Sequence, residues 1–109
     1  MMNLIAKKCV PCEGGTLPLT GATLELYLKE VKGWKVSEGK KIRKEFTFSD
    51  FKSALAFVNK VGEIAESEGH HPDVALSWGK AVVELWTHAI GGLSENDFIL
   101  AAKIDKLAP

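Results

Sequence analysis

The sequence contains no apolar run of the length that a membrane-spanning helix requires. Its opening stretch, MMNLIAKK, holds too short an apolar segment for a secretory signal. No membrane partner is expected, and the expected location is cytoplasmic. There is no excess of charge of either sign: Lys plus Arg number 14 and Asp plus Glu number 14. That balance removes the basic stripe by which a general nucleic-acid binder is recognised, so no nucleic-acid partner is expected. Linkers and low-complexity segments are also missing. A chain of 109 residues, 46% hydrophobic, is then expected to form a single domain over 1–109 with a core that needs neither disulfide nor metal.

Cysteine is nearly absent. Cys9 and Cys12 form the motif CVPC, and no second CxxC exists to complete a zinc site. A redox pair would normally open a helix after a strand, whereas CEGGTLPL, with Gly14, Gly15 and Pro18, reads as a loop. Residues 1–19 are therefore expected to form an irregular N-terminal arm with a structural role, a metal or redox role being the alternative.

The rest of the chain is periodic. Thr20 or Thr23 is expected to cap a first helix to about Val31, with Leu24, Leu28 and Val31 on one face and Gly33 ending it. WKVSEGKKIRKEFTF reads as a hairpin in which Ile42, Phe46 and Phe48 share a strand face with Lys44. Ser49 is expected to cap a second helix from Asp50 to about Glu68, ended by Gly69 in the left-handed conformation. Phe51, Ala54, Leu55, Phe57, Val58, Val61, Ile64 and Ala65 cover roughly half of its circumference, wider than one buried face needs. That width predicts self-association, a deeply seated helix being the alternative. PDVALSWGKAVVELWTH reads as a second hairpin turning at Gly79-Lys80, with Trp78 opposite Ala81, Leu76 opposite Val83 and Val74 opposite Leu85. Ser94 and Asp97 fit a capping box ahead of a third helix to about Leu107. The order predicts an α+β fold: a four-stranded antiparallel sheet with three helices packed on one face, α-β-β-α-β-β-α.

Histidine is scarce too, with three in the chain. His70 and His71 stand at the joint between the second helix and the second hairpin, and the expected register brings His88 opposite His71. Proline at 72 suits a strand start, and Glu66, one helical turn before His70, can reach the same corner. Imidazole both gives and takes protons near neutral pH, and no serine, cysteine or lysine stands out as a nucleophile. The constellation points to proton transfer, such as an elimination, hydration or tautomerisation. A His₃ zinc site and a structural role remain alternatives. Asp97 already has a role as a capping residue, and Trp34, Trp78 and Trp86 read most simply as core or sheet-face residues.

Glu66, His70, His71, Pro72, Trp78, His88 and Asp97 together resemble the signature of the pterin-4a-carbinolamine dehydratases, also called 4a-hydroxytetrahydrobiopterin dehydratases. THAIGGLSENDFILAAKID resembles that family's closing segment, Gly33-Trp34 its early strand, and CVPCEGG an arm of some bacterial members. The resemblance implies a hydro-lyase that dehydrates a 4a-hydroxytetrahydropterin to the quinonoid dihydropterin in tetrahydrobiopterin recycling, without metal or organic cofactor. It implies His70, His71 and His88 as the catalytic trio, with Glu66 orienting His70. Pro72, Thr87, Ala89 and Ile90 are implied as substrate contacts, with Trp34 and Asp97 as further candidates. It also implies a pterin as the partner molecule, a homo-oligomer (dimer or tetramer), and an aromatic amino acid hydroxylase as upstream partner. A transcriptional-cofactor or molybdopterin-associated role on the same fold is the alternative.

Overall fold

The computed structural model describes residues 3–10 and 17–108. Three helices, α1 (Gly21–Leu28), α2 (Phe51–Glu68) and α3 (Glu95–Asp105), alternate with two hairpins, β1 (Lys35–Ser37) with β2 (Lys41–Thr47) and β3 (Asp73–Ser77) with β4 (Lys80–Leu85). The four strands form one antiparallel sheet, as the sequence predicts, and its strand order is β1-β2-β4-β3. Strand alternation puts Ile42, Phe46, Ala81, Val83 and Leu85 into the core, where they meet Phe57 and Val61 of α2 and Phe98, Leu100 and Ile104 of α3. Among the described residues no helix is long and apolar enough to cross a membrane.

Helix α3 is buried almost all round, because the arm packs on it as well as the other two helices. Leu4, in a short 3-10 turn over Leu4–Ala6, joins the core. Helix α1 is shorter than expected and ends at Leu28, ahead of Gly33. The cap of α2 is Asp50, whose Oδ1 accepts the Ser53 amide at 2.7 Å, and not Ser49. At its other end Gly69 takes φ 65°, and the amides of Gly69 and His70 both turn back to Ala65 O. This left-handed closure sets where the histidine doublet leaves the helix.

The second hairpin departs from the expected register by two residues. Leu76 pairs with Ala81, Val74 with Val83 and Asp73 with Glu84, and the turn is Trp78-Gly79. A two-residue slip keeps every side chain on its face, so the core positions of β4 are unchanged. The turn is set by contact: Gly79 does not take positive φ, its carbonyl accepts the Phe48 amide at 2.8 Å, and a Cβ there would stand 2.9 Å from Phe48 O. Trp78, expected on the sheet face, projects from this turn and is 68% exposed. The broad apolar stripe of α2 is half covered: Ala54, Phe57, Val61 and Ala65 are buried, while Phe51 and Leu55 remain exposed.

Candidate active site

The end of α2, the end of β4 and the start of α3 meet at a cleft of about 360 Å³, in the size range of small-ligand sites. His70, His71 and His88 all line it. The direct His71–His88 strand pairing expected from sequence is absent, because the ladder stops at Asp73↔Glu84 and His88 begins a 3-10 turn over His88–Ile90. The three imidazoles still share a cleft, because closing the hairpin brings its two open ends together under either register.

The loop that carries His88 is pinned at its base. Thr87 and Gly92 form an isolated antiparallel bridge, with the Thr87 amide donating to Gly92 O at 2.8 Å. Gly92 has no room for a side chain, since a Cβ would lie 2.8 Å from Pro18. The ring of His88 lies against Trp86, tilted by 31° with 4.1 Å between centroids. Lys40 and Lys41 place their ammonium groups 5.1 and 5.5 Å from the Trp86 ring on the β1–β2 side.

Behind His70 lies the carboxylate of Asp97, which is fully buried. His70 Nε2 is 2.6 Å from Asp97 Oδ1, so this nitrogen carries the proton and donates, leaving Nδ1 as the ring atom not engaged by the carboxylate. Asp97 Oδ2 accepts two further hydrogen bonds, from the Ser94 amide and from Thr87 Oγ1, both at 2.9 Å. Thr87 spends its single proton on Asp97, so Ser94 Oγ must be the donor in the 2.7 Å contact with Thr87 Oγ1. The carboxylate also sits in the first turn of α3, where the helix dipole favours negative charge. The capping residue expected from sequence is thus also the partner of His70. It stands behind the imidazole and is not itself a lining residue of the cleft.

Glu66 does not reach His70. Its carboxylate contacts His71 Nε2, and both side chains are largely exposed at the rim. Thr87 and Ala89 line the cleft, whereas Pro72 and Ile90 do not. Trp34 is buried in the core, donating from Nε1 to Asp105 at 3.1 Å and lying edge-on to Phe46, away from the histidines. The aromatic residue of the cleft is Trp86, which pattern reading put on a sheet face. It lies just past the end of β4, so strand alternation gives no signal for its placement. Among the described residues the Trp86 Nε1 is buried without a hydrogen-bond partner.

The arm also reaches the cleft, through Cys9 and Val10. Burial, followed by the nearby Glu68 carboxylate, pushes the Cys9 thiol up to about 12, so Cys9 is not a thiolate nucleophile at neutral pH. Cys12 lies outside the described residues. Among those residues no group of three His, Cys, Asp or Glu side chains converges on a position for an ion.

A model of the family "Pterin 4 alpha carbinolamine dehydratase" matches residues 17–107. A relative from Rubrobacter xylanophilus, provisionally named a pterin-4-alpha-carbinolamine dehydratase, is 48% identical over 98% of this chain and 100% of its own length. One from Alkaliphilus metalliredigens with the same provisional name is 50% identical over 97% of this chain and 96% of its own. The crystal structure of a transcriptional coactivator/pterin dehydratase from Brucella melitensis superposes with a TM-score of 0.80 at 30% identity, covering 84% of this chain and 99% of that one. The chain belongs to the pterin-4-alpha-carbinolamine dehydratase family of hydro-lyases.

Proposed function

We propose that the protein dehydrates a 4a-hydroxytetrahydropterin to the quinonoid dihydropterin by general acid/base catalysis from its histidines. The observation that carries this reading is the buried Asp97–His70 pair at the wall of a cleft that His71 and His88 also line. The reaction needs one proton delivered to the 4a hydroxyl as the C4a–O bond breaks and one removed from the adjacent ring N5 as the C4a=N5 bond forms. Water leaves, and the net proton count is unchanged. Two imidazoles on the walls of one cleft suit that exchange. His70 and His88 serve as the acid/base pair, while His71, tethered to Glu66 at the rim, positions the substrate. Asp97 acts through His70, by holding its tautomer and stabilising its protonated form, in the way the buried aspartate of a serine-protease triad acts on its histidine.

Stopped-flow dehydration with purified protein tests this reading. Replacement of His70 or His88 by alanine is expected to lower kcat by roughly 10²- to 10⁴-fold, with His71→Ala acting mainly on KM. Wild-type turnover is expected to resist chelator. Near-normal kcat in the His70 or His88 variant would overturn the assignment, and chelator-sensitive turnover would favour a zinc mechanism. The physiological setting we propose is cytoplasmic recycling of tetrahydrobiopterin for an aromatic amino acid hydroxylase. The exposed Phe51 and Leu55 on α2 support a homo-oligomer assembled through that face, up to a tetramer, and a monomer in light scattering at micromolar concentration would count against it.

A further inference from the structure

The arm ahead of residue 17 lies outside the matched family segment, yet buried polar side chains of the domain are committed to holding it. The amide side chain of Asn96, a residue only 5% exposed, pairs with both backbone groups of Val10: its Oδ1 accepts the Val10 amide at 3.0 Å and its Nδ2 donates to Val10 O at 2.5 Å. This imitates a strand pairing with one side chain. One residue earlier, Glu68 Oε1 accepts the Cys9 amide at 2.8 Å, while its Oε2 is held by Lys103 at 2.7 Å. The Glu68 side chain is only 6% exposed. Lys7 adds an ion pair to Glu95, which Tyr27 also contacts. Asn96 opens α3 one residue before Asp97, and Glu68 ends α2 two residues before His70. The same two helix ends that position the Asp97–His70 pair therefore also anchor the arm.

Cys9, Val10, Glu68 and Asn96 all line the histidine cleft. We propose that Cys9 and Val10 form a fixed wall of the substrate cleft, with Val10 touching the bound heterocycle and Asn96 and Glu68 as positioning residues for that wall. The ligand is the flat pterin ring of the proposed reaction, and the inference rests on that reading. The Cys9 and Val10 amides and Val10 O are already engaged by Glu68 and Asn96, the Cys9 thiol faces Asn96 O at 3.6 Å, and the groups proposed to exchange protons come from other elements. The wall's contribution is made equally to substrate and transition state. It therefore appears in KM and in the affinity for an unreactive pterin, and leaves kcat largely alone.

The test uses the full chain and two readouts: stopped-flow dehydration, and equilibrium binding of a 7,8-dihydropterin followed by tryptophan fluorescence. Asn96→Ala, which frees the arm, is expected to raise KM and Kd together by about tenfold with kcat within about threefold of wild type. Val10→Trp alters an exposed side chain and does not endanger folding; intrusion into the cleft is expected to raise Kd to a similar extent. Lys7→Ala, which removes only the peripheral ion pair, is expected to change Kd by less than about twofold. If Val10→Trp binds the dihydropterin as tightly as wild type, the wall is not there, whatever Asn96→Ala does. A fall in kcat with unchanged KM would equally overturn the inference. A wild-type protein that neither binds nor dehydrates pterins would remove the functional reading and this inference together. An active wild type with unaffected variants would remove only the wall.

Discussion

Replacement of Asp97 by asparagine separates the structural from the chemical role of one buried side chain. The carboxylate serves three donors: His70 Nε2 on Oδ1, and the Ser94 amide and Thr87 hydroxyl on Oδ2. An amide of the same shape has one acceptor oxygen. Two of the three donors converge on the Oδ2 position, so the amide oxygen of the Asp97→Asn variant is expected there, leaving NH₂ to face His70. That group can only donate, so it drives the imidazole to accept at Nε2 and to carry its proton on Nδ1. The tautomer is inverted. The analogous inversion in a histidine–aspartate pair costs about 10⁴ in kcat, and general acid/base catalysis as a whole supplies about 10²- to 10⁴-fold, so a loss of at least about 10² is expected. At about 1.36 kcal/mol per decade this is a barrier increase of about 3 kcal/mol or more. The cap is kept, so stability is expected to fall by only about 1–2 kcal/mol, the difference between charged and neutral hydrogen bonds at a helix start. For a domain of this size, that lowers Tm by roughly 4–16 °C. The control is Ser94→Ala, which removes the buried hydroxyl and leaves the His70–Asp97 contact in place. It should cost about 1 kcal/mol with little change in turnover. Stopped-flow dehydration and thermal unfolding by circular dichroism read the two effects independently. If Asp97→Asn turns over within about threefold of wild type while Ser94→Ala loses the same stability, Asp97 is only a cap and the catalytic reasoning fails.

Glu66→Gln should behave differently: its pairing with His71 is solvent-exposed, and such pairs contribute about 0–1 kcal/mol, so kcat should drop less than about fivefold. A loss as large as that of Asp97→Asn would contradict the ranking of the two carboxylates. With Cys12 replaced by serine, Cys9 should alkylate with iodoacetamide at pH 8 at least about 100-fold more slowly than free cysteine, because its thiol is pushed up to about 12; rapid labelling would show that the arm leaves the cleft. The Lys103 ammonium, followed by the Cys9 amide, holds Glu68 below its ordinary value of 4.5. A carboxylate depressed in the folded state contributes stability above its ordinary value, 4.5 here, and loses it as pH falls through the folded value. Wild-type Tm should therefore decline below pH 4.5 more steeply than that of Glu68→Gln, and parallel acid profiles would refute this.

Helix and strand order, the core faces of β2 and β4, the Gly69 terminator and the capping role of Asp97 were all legible in the sequence, because each depends on residues a few positions apart. Periodicity records which face is buried, and a slip of two residues leaves that face unchanged, so the buried face of β4 could be read while the hairpin's register could not; β3, at the sheet edge, leaves Val74 of the same face exposed. The register was decided by the contact between Gly79 and the Phe48 carbonyl, between segments far apart in the chain. The site divides in the same way. That His70, His71 and His88 belong together was readable from the hairpin. Which carboxylate serves which histidine was not, since helical spacing favoured Glu66 for His70, whereas burial beneath the start of α3 gave that place to Asp97. Trp86 beside His88, and Val10 held against the cleft by Asn96, arise where the ends of separate elements converge. Sequence period carries no information about such meeting points; only the packed chain determines them, as where it closes over Asp97 and Asn96 and pairs them with His70 and Val10.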